Sequence, residues 1–584
     1  MGKPVKERKY IRKGDIYENA FNDNGTETIN TWFTYDKNGN LKSVTNHKGI
    51  TTTYGYDNMN RQISVSMPGG DEYGIPVIIR NTSQCNWEGK VTYTEDANGN
   101  VTSYEYDKRG FLTHVVNAEG GITAFWYDRA GRVTAEVFPE HFDESKTLTQ
   151  MNRKEYTNDS MSRVLTETKV NFDEVQNQLI SFVSKAFQYD TNGNVTKELD
   201  ALGYEYGTGS TIQQKINTGY GTEYTYNLNN QLISVLDPVS KQKGLTYTVK
   251  YTYDALGRTL TETNAKGHVI SYEYDDAGNL LKKEIQSDAS SPKQVMETYS
   301  YDYLGRLISK TDGNQNTIYF EHNGFNKLKK EIYPGDESIP ANIVQYQYDE
   351  LGNLKFLENS LGAQDIYTYD NLGRQTSHTR QKHGESGRIN TSVKYDPNGN
   401  VRFETDGNGN TTEKTYDSMS RLETIKTTVS GILQTTTYSY DKTGNLVKET
   451  DWRNNSYTNT YDSLNRLIEK RDPHGKIIEK LEYNHNHAQI KSYDALGNLT
   501  QYEYDRNNRL IKTIDPELNE TTQTYDHFGN VATQTDGRGN TTNFYFDEMN
   551  RLEKVVNAKG EETKYTYDLN GNKLTQEDGK GHIT

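Results

Sequence analysis

The sequence predicts an all-β protein, built as a long antiparallel array of β-hairpins that repeat about every 21 residues. Three observations support this fold class. A tyrosine–aspartate motif recurs along nearly the whole chain, a second turn signal lies between successive motifs, and the segments between turns have the composition of short strands. The composition also argues against conventional domains, because the apolar residues make up only 32% of the chain.

The first element is a seven-residue turn motif. It consists of tyrosine, aspartate, two variable residues, usually glycine, then either asparagine or arginine, and finally leucine. Motif aspartates are spaced by 21 residues, as between Asp505, Asp526, Asp547 and Asp568. Further copies are YDKNGNL (35–41), YDDAGNL (274–280), YDYLGRL (301–307), YDELGNL (348–354), YDSMSRL (416–422), YDKTGNL (440–446), YDSLNRL (461–467) and FDEMNRL (546–552). A repeat of this regularity is the dominant feature from which the fold is predicted.

The second element is another turn, which begins eleven residues before most motif aspartates with a second aspartate or asparagine. Glycine often follows three places later, as in Asn117 to Gly120 and Asp406 to Gly409. This pattern is typical of a type I turn, in which the short polar side chain bonds the backbone and glycine accepts the exit geometry. Each repeat therefore contains two turns, called here the tyrosine–aspartate turn and the mid-unit turn.

The third element is the strand between two turns, about six or seven residues rich in Tyr, Thr, Val and Ile. Tyrosines lie two apart, as in Tyr272/Tyr274 and Tyr565/Tyr567, so both occupy one face of a strand. Arginine at the sixth motif position, as in Arg258 and Arg421, has two possible environments: a tyrosine ring or aspartate of a neighbouring strand, or solvent.

About twenty such repeats predict about forty strands, too many for a flat sheet. A twisted sheet of this length, with few apolar residues to fill an interior, is expected to coil into a large hollow barrel or spiral shell. Residues 1–30 are a lead-in or the start of the array, and 31–584 form the repeat region.

Longer spacings between motifs mark extended hairpins or inserted loops. They fall near 68–90, 134–186, 204–224, 283–297, 330–345, 378–392 and 426–436. Segment 169–188 has some helical periodicity, but the tyrosines on either side of it favour an elongated hairpin.

The overall composition excludes several classes of function. The net charge of −15 is spread evenly, which argues against a nucleic-acid partner. There is no run of 18 apolar residues, so no membrane-spanning helix is predicted, and the basic N-terminal segment lacks the apolar core of a signal peptide. The single cysteine, Cys85, excludes a disulfide framework and is expected to be a small buried or half-exposed residue and not a nucleophile.

The remaining polar clusters offer few candidates for chemistry. The glycine-rich turns 406–410 and 536–540 lack the ligand pattern of known calcium loops. His485 and His487 in YNHNHAQI would share one strand face if that segment were a strand, and with His474 they form a conceivable zinc site. The motif register instead favours a degenerate turn, since Tyr483 and Asn484 occupy the tyrosine–aspartate positions. We therefore predict no catalytic, cofactor-binding or metal-binding residue, and no enzymatic activity.

The repeated motif and its mid-unit turn resemble the YD-repeat family of bacterial Rhs and wall-associated proteins, insecticidal toxin-complex shells and teneurins. The resemblance covers the chain from about residue 30 to its end. It implies a hollow β-shell that encloses a polypeptide, usually a C-terminal toxin domain, in a protein that is secreted or at the bacterial cell surface. The C-terminal core of Rhs proteins, which carries self-cleavage residues, has no counterpart here, so no family catalytic residue is assigned.

The sequence stops at Thr584, within a segment that the register predicts to be a strand, and the expectation is a fragment of a longer protein. The predicted function is a structural shell around a cargo or toxin domain. The alternative is a cell-surface module that binds glycans through exposed tyrosine and asparagine rows.

Overall fold

The computed structural model describes residues 5–12, 26–70, 76–173, 178–287, 291–335, 340–381, 384, 387–526, 529–547 and 549–584. In these residues, 47 strands belong to one antiparallel sheet, in which strands pair with their neighbours in sequence. Hairpin follows hairpin along the chain, which confirms the predicted all-β class and the predicted antiparallel array of repeats.

The strands of the N-terminal half are short, and most span five to seven residues. They are β1 Lys6–Arg12, β2 Thr26–Tyr35, β3 Leu41–Thr45, β4 Thr51–Tyr56, β5 Gln62–Gly70, β6 Pro76–Cys85, β7 Val91–Glu95, β8 Val101–Tyr106, β9 Leu112–Val116, β10 Ile122–Tyr127, β11 Val133–Val137, β12 Arg153–Asn158, β13 Val164–Asp173, β14 Gln178–Tyr189, β15 Val195–Asp200, β16 Thr222–Tyr226, β17 Leu232–Leu236, β18 Val249–Tyr253, β19 Thr259–Asn264, β20 Val269–Tyr274, β21 Leu280–Gln286, β22 Gln294–Tyr301, β23 Leu307–Asp312 and β24 Thr317–His322.

The C-terminal half continues the same rhythm. Its strands are β25 Leu328–Tyr333, β26 Asn342–Tyr348, β27 Leu354–Asn359, β28 Gln364–Tyr369, β29 Gln375–Gln381, β30 Arg388–Tyr395, β31 Val401–Thr405, β32 Thr411–Tyr416, β33 Leu422–Val429, β34 Ile432–Tyr440, β35 Leu446–Thr450, β36 Ser456–Tyr461, β37 Leu467–Arg471, β38 Ile477–Tyr483, β39 Gln489–Asp494, β40 Leu499–Tyr504, β41 Leu510–Ile514, β42 Glu520–Tyr525, β43 Val531–Thr535, β44 Thr541–Phe546, β45 Leu552–Val556, β46 Glu562–Tyr567 and β47 Lys573–Glu577.

Three short α-helices and a 3₁₀ turn interrupt the strands, and the sequence patterns did not predict them. The helices are α1 Ala201–Glu205, α2 Ile212–Thr218 and α3 Pro238–Gln242, and the 3₁₀ turn is Leu148–Gln150. Helix α2 begins with a capping box, in which Thr211 and Gln214 bond each other's backbone. Such caps are local signals in only a few residues, whereas the predicted array rests on the 21-residue period.

The chain forms two compact units, and each unit contains stretches that are distant in sequence. The first unit comprises Met1–Ala124, Phe138–Glu140 and Ile318–Ser456, and the second comprises Phe125–Val137, His141–Thr317 and Tyr457–Thr584. The last range of each unit is called its later stretch, and the ranges before it are called its earlier stretch.

Each tyrosine–aspartate turn shifts the strand register by one residue. In β40 and β41, Glu503 pairs with Lys512 but Tyr504 pairs with Leu510. This bulge sets the tyrosine at the end of its strand and increases the local twist.

Side chains buried deeply in the described residues are few. A compact hydrophobic cluster lies in the second unit, where Tyr204 of α1 and Ile216 of α2 are buried together with Ala186 of β14 and Leu199 of β15. Elsewhere most strand residues are only half-buried, so hydrogen bonds and side-chain rows between strands must supply much of the cohesion. Segment 169–188 lies on β13 and β14, apart from 174–177, which are outside the described residues, and the predicted elongated hairpin is confirmed.

Candidate functional site

The repeated turn is built around its aspartate. In the turn that starts at Asp57, the carbonyl of Asp57 accepts from the amide of Asn60 at 3.0 Å, and its amide donates to the carbonyl of Arg61 at 3.0 Å. The carboxylate Oδ1 accepts from the amides of Met59 and Arg61 at 2.8 and 3.0 Å. Residue 60 has φ +62°, the left-handed conformation that explains why glycine or asparagine recurs at this place.

Mid-unit turns have the same geometry. Asp406 accepts from the amides of Asn408 and Asn410 through Oδ1, each at 2.9 Å, and Gly409 adopts φ +84°. The two turn types predicted from the sequence therefore have the same backbone conformation and hydrogen bonds, and they differ only in the residues around them.

Hydrogen bonds lower the pKa of several turn carboxylates. The amide of Arg61 and the amide of Arg258 lower the pKa of Asp57 and of Asp254, respectively, and outweigh the partial burial that opposes ionisation. The same shift, with the same cause, lowers the pKa of Asp128 and Asp159.

The motif arginine joins one repeat to the next. Arg258 Nε lies 2.6 Å from Asp254 Oδ2 in its own turn, and Arg258 Nη1 donates at 2.8 Å to the carbonyl of Asp275 in the following turn. Its guanidinium also lies 4.9 Å from the ring centre of Tyr274. Equivalent arginine–tyrosine stacks join Arg163 to Tyr189, Arg374 to Tyr395, Arg421 to Tyr440, Arg466 to Tyr483, Arg509 to Tyr525 and Arg551 to Tyr567. Of the two environments considered for this arginine, the structure shows the contact with both ring and aspartate.

The motif tyrosine binds in the opposite direction along the sheet. The hydroxyl of Tyr274 donates at 3.0 Å to the carbonyl of Thr259, fifteen residues earlier. The same bond runs from Tyr56 to Leu41, Tyr106 to Val91, Tyr369 to Leu354, Tyr416 to Val401, Tyr504 to Gln489, Tyr525 to Leu510 and Tyr567 to Leu552. Where the sixth motif position is arginine, tyrosine, aspartate and arginine thus form a polar link from one repeat to its neighbours. Where it is asparagine, as at Asn279, the side chain bonds the aspartate of its own turn.

A second kind of contact joins turns that are about 300 residues apart in sequence. In the first unit, Asn98 Nδ2 donates to Asp396 Oδ2 at 3.0 Å, and Asn398 Nδ2 donates to Asp96 Oδ2 at 2.7 Å. Each asparagine lies two places after the aspartate of its own turn. The mid-unit turn 96–100 and the tyrosine–aspartate turn 396–400 therefore hold each other reciprocally.

The second unit has the same reciprocal pair. Asn314 Nδ2 donates to Asp568 Oδ2 at 2.7 Å, and Asn570 Nδ2 donates to Asp312 Oδ2 at 2.5 Å. Gly313 is required between them, because a Cβ at this position would lie 2.6 Å from Leu569 Cβ.

One-sided versions of this contact hold the helices of the second unit. Asn486 donates to Asp200, the N-cap of α1, at 2.8 Å, and Asn507 donates to Asp237, the N-cap of α3, at 2.8 Å. Although burial opposes it, the hydrogen bonds from Ser240, Thr248 and Asn507 lower the pKa of Asp237 to about 2.

These turn-to-turn contacts were not predicted from the sequence. The signal that could have found them is asparagine two places after the turn aspartate.

The histidines singled out from the sequence take separate partners. His485 and His487 lie in a turn, as the motif register favoured, and not on a strand face. His485 stacks on Phe182 at 4.1 Å and pairs with Glu205, whereas His487 Nε2 lies 3.1 Å from Lys169 Nζ.

The other candidate residues also lie apart from one another, in separate turns or at the end of a strand. His474 is exposed in the turn that Asp472 caps, and Cys85 is half-buried at the end of β6. The carboxylates of Asp406 and Asp536 accept from Asn410 and Asn540 within turns 406–410 and 536–540. Within the described residues, no cluster of three or more His, Cys, Asp or Glu side chains could hold a metal ion. Those residues also include no helix of the length and apolarity needed to cross a bilayer.

Comparison with family models gives two matches. A model of the teneurin YD-shell matches residues 10–157 and 340–515, together more than half of the chain. A model of the RHS repeat matches residues 253–291, 504–541 and 525–562. The comparison with curated proteins gives no match.

Solved structures give matches over nearly the full chain. A crystal structure of TcdB2-TccC3-TEV has a TM-score of 0.65 at 15% identity and covers 94% of this chain, and one of TcdB2-TccC3 has a TM-score of 0.64 at 15% identity and covers 99%. A Photorhabdus luminescens Tc holotoxin pore has a TM-score of 0.61 at 13% identity and covers 96%. The matched regions span 31%, 32% and 34% of those chains, so this chain covers about a third of their length. These matches confirm the predicted fold.

Proposed function

Because the chain belongs to the teneurin YD-shell family, we propose that its structural role is to form part of a shell wall that encloses a polypeptide. The enclosed cargo would be a toxin or another domain that must be kept apart from its surroundings until delivery. We further propose that the shell belongs to a secreted or bacterial cell-surface protein.

The observation that carries the proposal is the polar link between repeats. Motif tyrosines bond the preceding repeat, and in the motifs that carry arginine the guanidinium adds ionic and cation–π contacts with the following one. Fourteen hydrophobic side chains are buried among the described residues, far fewer than a conventional core of this size would need. A sheet stabilised within its own plane is suited to a wall, because it does not need a packed interior.

The role as a wall also accounts for the chemistry of the described residues. The turn carboxylates bind backbone amides and asparagines of their own or facing turns, and the histidines of the 484–488 turn bind separate partners. None of these groups converges with a second catalytic group in the described part of the chain, which is consistent with a non-enzymatic role.

Protection of a tethered cargo tests the proposal. A protease-sensitive, unstructured reporter would be fused after Thr584 and digested beside the same reporter fused to an unrelated folded protein. We expect the reporter on this chain to be cut at least about tenfold more slowly, and electron microscopy to show a cavity. Equal cleavage rates with intact repeats would refute enclosure by this chain.

Glycan binding is the second candidate, and the structure favours it less. The rings of motif tyrosines such as Tyr274 and Tyr440 lie against arginines, and their hydroxyls bind backbone carbonyls. A stacking platform for a sugar needs a free aromatic face. Binding to a glycan array without protection of the reporter would reverse the order of the two candidates.

A further inference from the structure

Within each unit, one combination of turns recurs where the later stretch contacts the earlier stretch. Tyrosine–aspartate turns of the later stretch lie against mid-unit turns of the earlier stretch. The pairs are 396–400 with 96–100 and 417–421 with 117–121 in the first unit, and 526–530 with 264–268 and 568–572 with 312–316 in the second. Turn 505–509 instead lies against the N-terminus of α3, which takes the place of a mid-unit turn. The internal interface thus has two different and complementary sides.

Exposure shows where the tyrosine–aspartate side lacks such a neighbour. The residue two places after the motif aspartate is often Leu or Met. In the later stretch of the first unit, Leu351 and Met419 are 36% and 41% exposed. In the earlier stretch of the second unit, Leu256 and Leu304 at the same position are 74% and 61% exposed, and Tyr303 is 93% exposed. We call the turns 254–258 and 302–306 the tyrosine–aspartate edge.

The complementary side is exposed in the same unit. Mid-unit turns of its later stretch carry Leu496, which is 81% exposed, and Leu518, which is 75% exposed. Both turns are capped by their own aspartates, Asp494 and Asp515, in the geometry of the seated mid-unit turns. We call the turns 494–498 and 515–519 the mid-unit edge.

We propose that the tyrosine–aspartate edge of one copy of this chain binds the mid-unit edge of a second copy. The contact would repeat between two molecules the combination of turns that already joins the two stretches inside each unit. The exposed leucines, Leu256 and Leu304 on one edge and Leu496 and Leu518 on the other, give the contact its apolar component. Asp254 and Asp494 stay bonded in their own turns, so the edges meet with their turn backbones already satisfied.

Because the two edges differ, the association is head to tail. A heterologous contact of this kind leaves one free edge of each type on every oligomer, so growth does not stop at a dimer unless the rotation closes a ring. This proposal concerns the tyrosine–aspartate edge and the mid-unit edge, and it does not depend on the enclosure of a cargo.

Single-edge variants test the proposal. Leu256→Asp with Leu304→Asp disables the tyrosine–aspartate edge, and Leu496→Asp with Leu518→Gly disables the mid-unit edge. Tyr319→Ser on β24 of the first unit, where the side chain is 53% exposed, is the matched control because it changes neither edge. Sedimentation velocity would be measured over a concentration series up to about 50 μM, a range that detects micromolar affinities.

We expect the unaltered chain and the control to associate with rising concentration, and each single-edge variant to associate at least about tenfold more weakly. An equimolar mixture of the two single-edge variants should form a discrete dimer, because each retains the edge that the other lacks. Circular dichroism at each concentration confirms that the variants are folded. A monomeric unaltered chain, single-edge variants that associate like the control, or a mixture without dimers would each overturn the proposal.

Discussion

Asn98 and Asp396 are joined by a hydrogen bond of 3.0 Å, although they are 298 residues apart in sequence. The reverse bond, from Asn398 to Asp96, makes the contact reciprocal. Each aspartate also caps its own turn, through amides of the same turn. One carboxylate therefore serves both the local turn and the joint between distant stretches.

Replacing both asparagines should loosen this joint without disturbing either turn. For Asn98→Ala with Asn398→Ala, we expect a loss of roughly 3 kcal/mol in local stability, because three hydrogen bonds are removed and two of them are to charged groups. Hydrogen–deuterium exchange should rise in 91–106 and 393–405. Asn408→Ala is the matched control, since Asn408 has the same place in an exposed turn. Equal changes in the double variant and the control would show that the reciprocal bonds contribute nothing.

We expect that lysine cannot provide the stability that the motif arginine provides. Arg421 binds Asp417 at 2.7 Å, donates at 3.0 Å to the carbonyl of Asp441 and lies 4.8 Å from the Tyr440 ring. An ammonium cannot make these contacts together, so Arg421→Lys should cost about 1–2 kcal/mol. Urea denaturation followed by tyrosine fluorescence measures the change.

The control is Arg538→Lys in the exposed turn 536–540, where we expect a change within about 0.5 kcal/mol. If the two substitutions have the same effect, the link between repeats does not depend on the guanidinium.

Removing the hydroxyl of one motif tyrosine tests the hydrogen bond that joins its repeat to the preceding one. Tyr274→Phe keeps the ring beneath Arg258 but removes the bond to the carbonyl of Thr259. We expect a loss of about 1 kcal/mol and faster exchange of the amides in β19 and β20. Tyr319→Phe, at an exposed position, should change stability by less than about 0.5 kcal/mol. An unchanged β19–β20 exchange rate would contradict the assigned role of the hydroxyl.

The repeat and its strands could be predicted because every unit carries the same local chemistry. An aspartate followed three places later by glycine defines a turn such as 406–410 from five residues, without knowledge of what surrounds it. The choice of environment for the motif arginine could not be made in this way. It depends on the tyrosine of the next repeat, whose position is fixed only when the register of two hairpins is known.

Contacts between distant stretches were beyond prediction for a different reason. The offset between facing turns differs from place to place, from 302 between Asn398 and Asp96 to 258 between Asn570 and Asp312. It depends on how many insertions lie between the two turns. The helices near 204–224 show the same limit, because a five-residue helix such as α1 is set by its cap and by the strands beneath it.

A buried lysine should be essential for the helical insertion. Lys197 is 5% exposed, and its Nζ donates to the carbonyls of Ile216 and Gly219 at 3.0 and 2.7 Å, at the end of α2. Lys197→Met leaves these carbonyls without a donor, so we expect a local loss of roughly 1–3 kcal/mol. Exchange of the amides in 212–219 should accelerate. Lys185→Met, at an exposed pair with Glu198, is the control, and equal effects would refute the capping role.

The turn 484–488 should loosen in mild acid because of the pair formed by His487 and Lys169. Burial, together with the charge of Lys169 at 3.1 Å, lowers the pKa of His487 below its ordinary value. Arg466 acts in the same direction and Asp462 opposes it. Since the folded state holds the proton less tightly than the unfolded state, the stabilising contribution is present above the ordinary histidine pKa of about 6.5 and is lost as the pH falls through the lowered value.

We therefore expect exchange of the amides in 484–488 to accelerate between about pH 7 and 5, after correction for intrinsic rates. Lys169→Met removes the charge that disfavours protonation, so the acceleration should be smaller in this variant. His474, which is exposed in the turn 472–476, provides a histidine turn in the same molecule as an internal reference. A pH dependence in 484–488 that matches 472–476, or that is unaltered by Lys169→Met, would show that this contact does not sense pH.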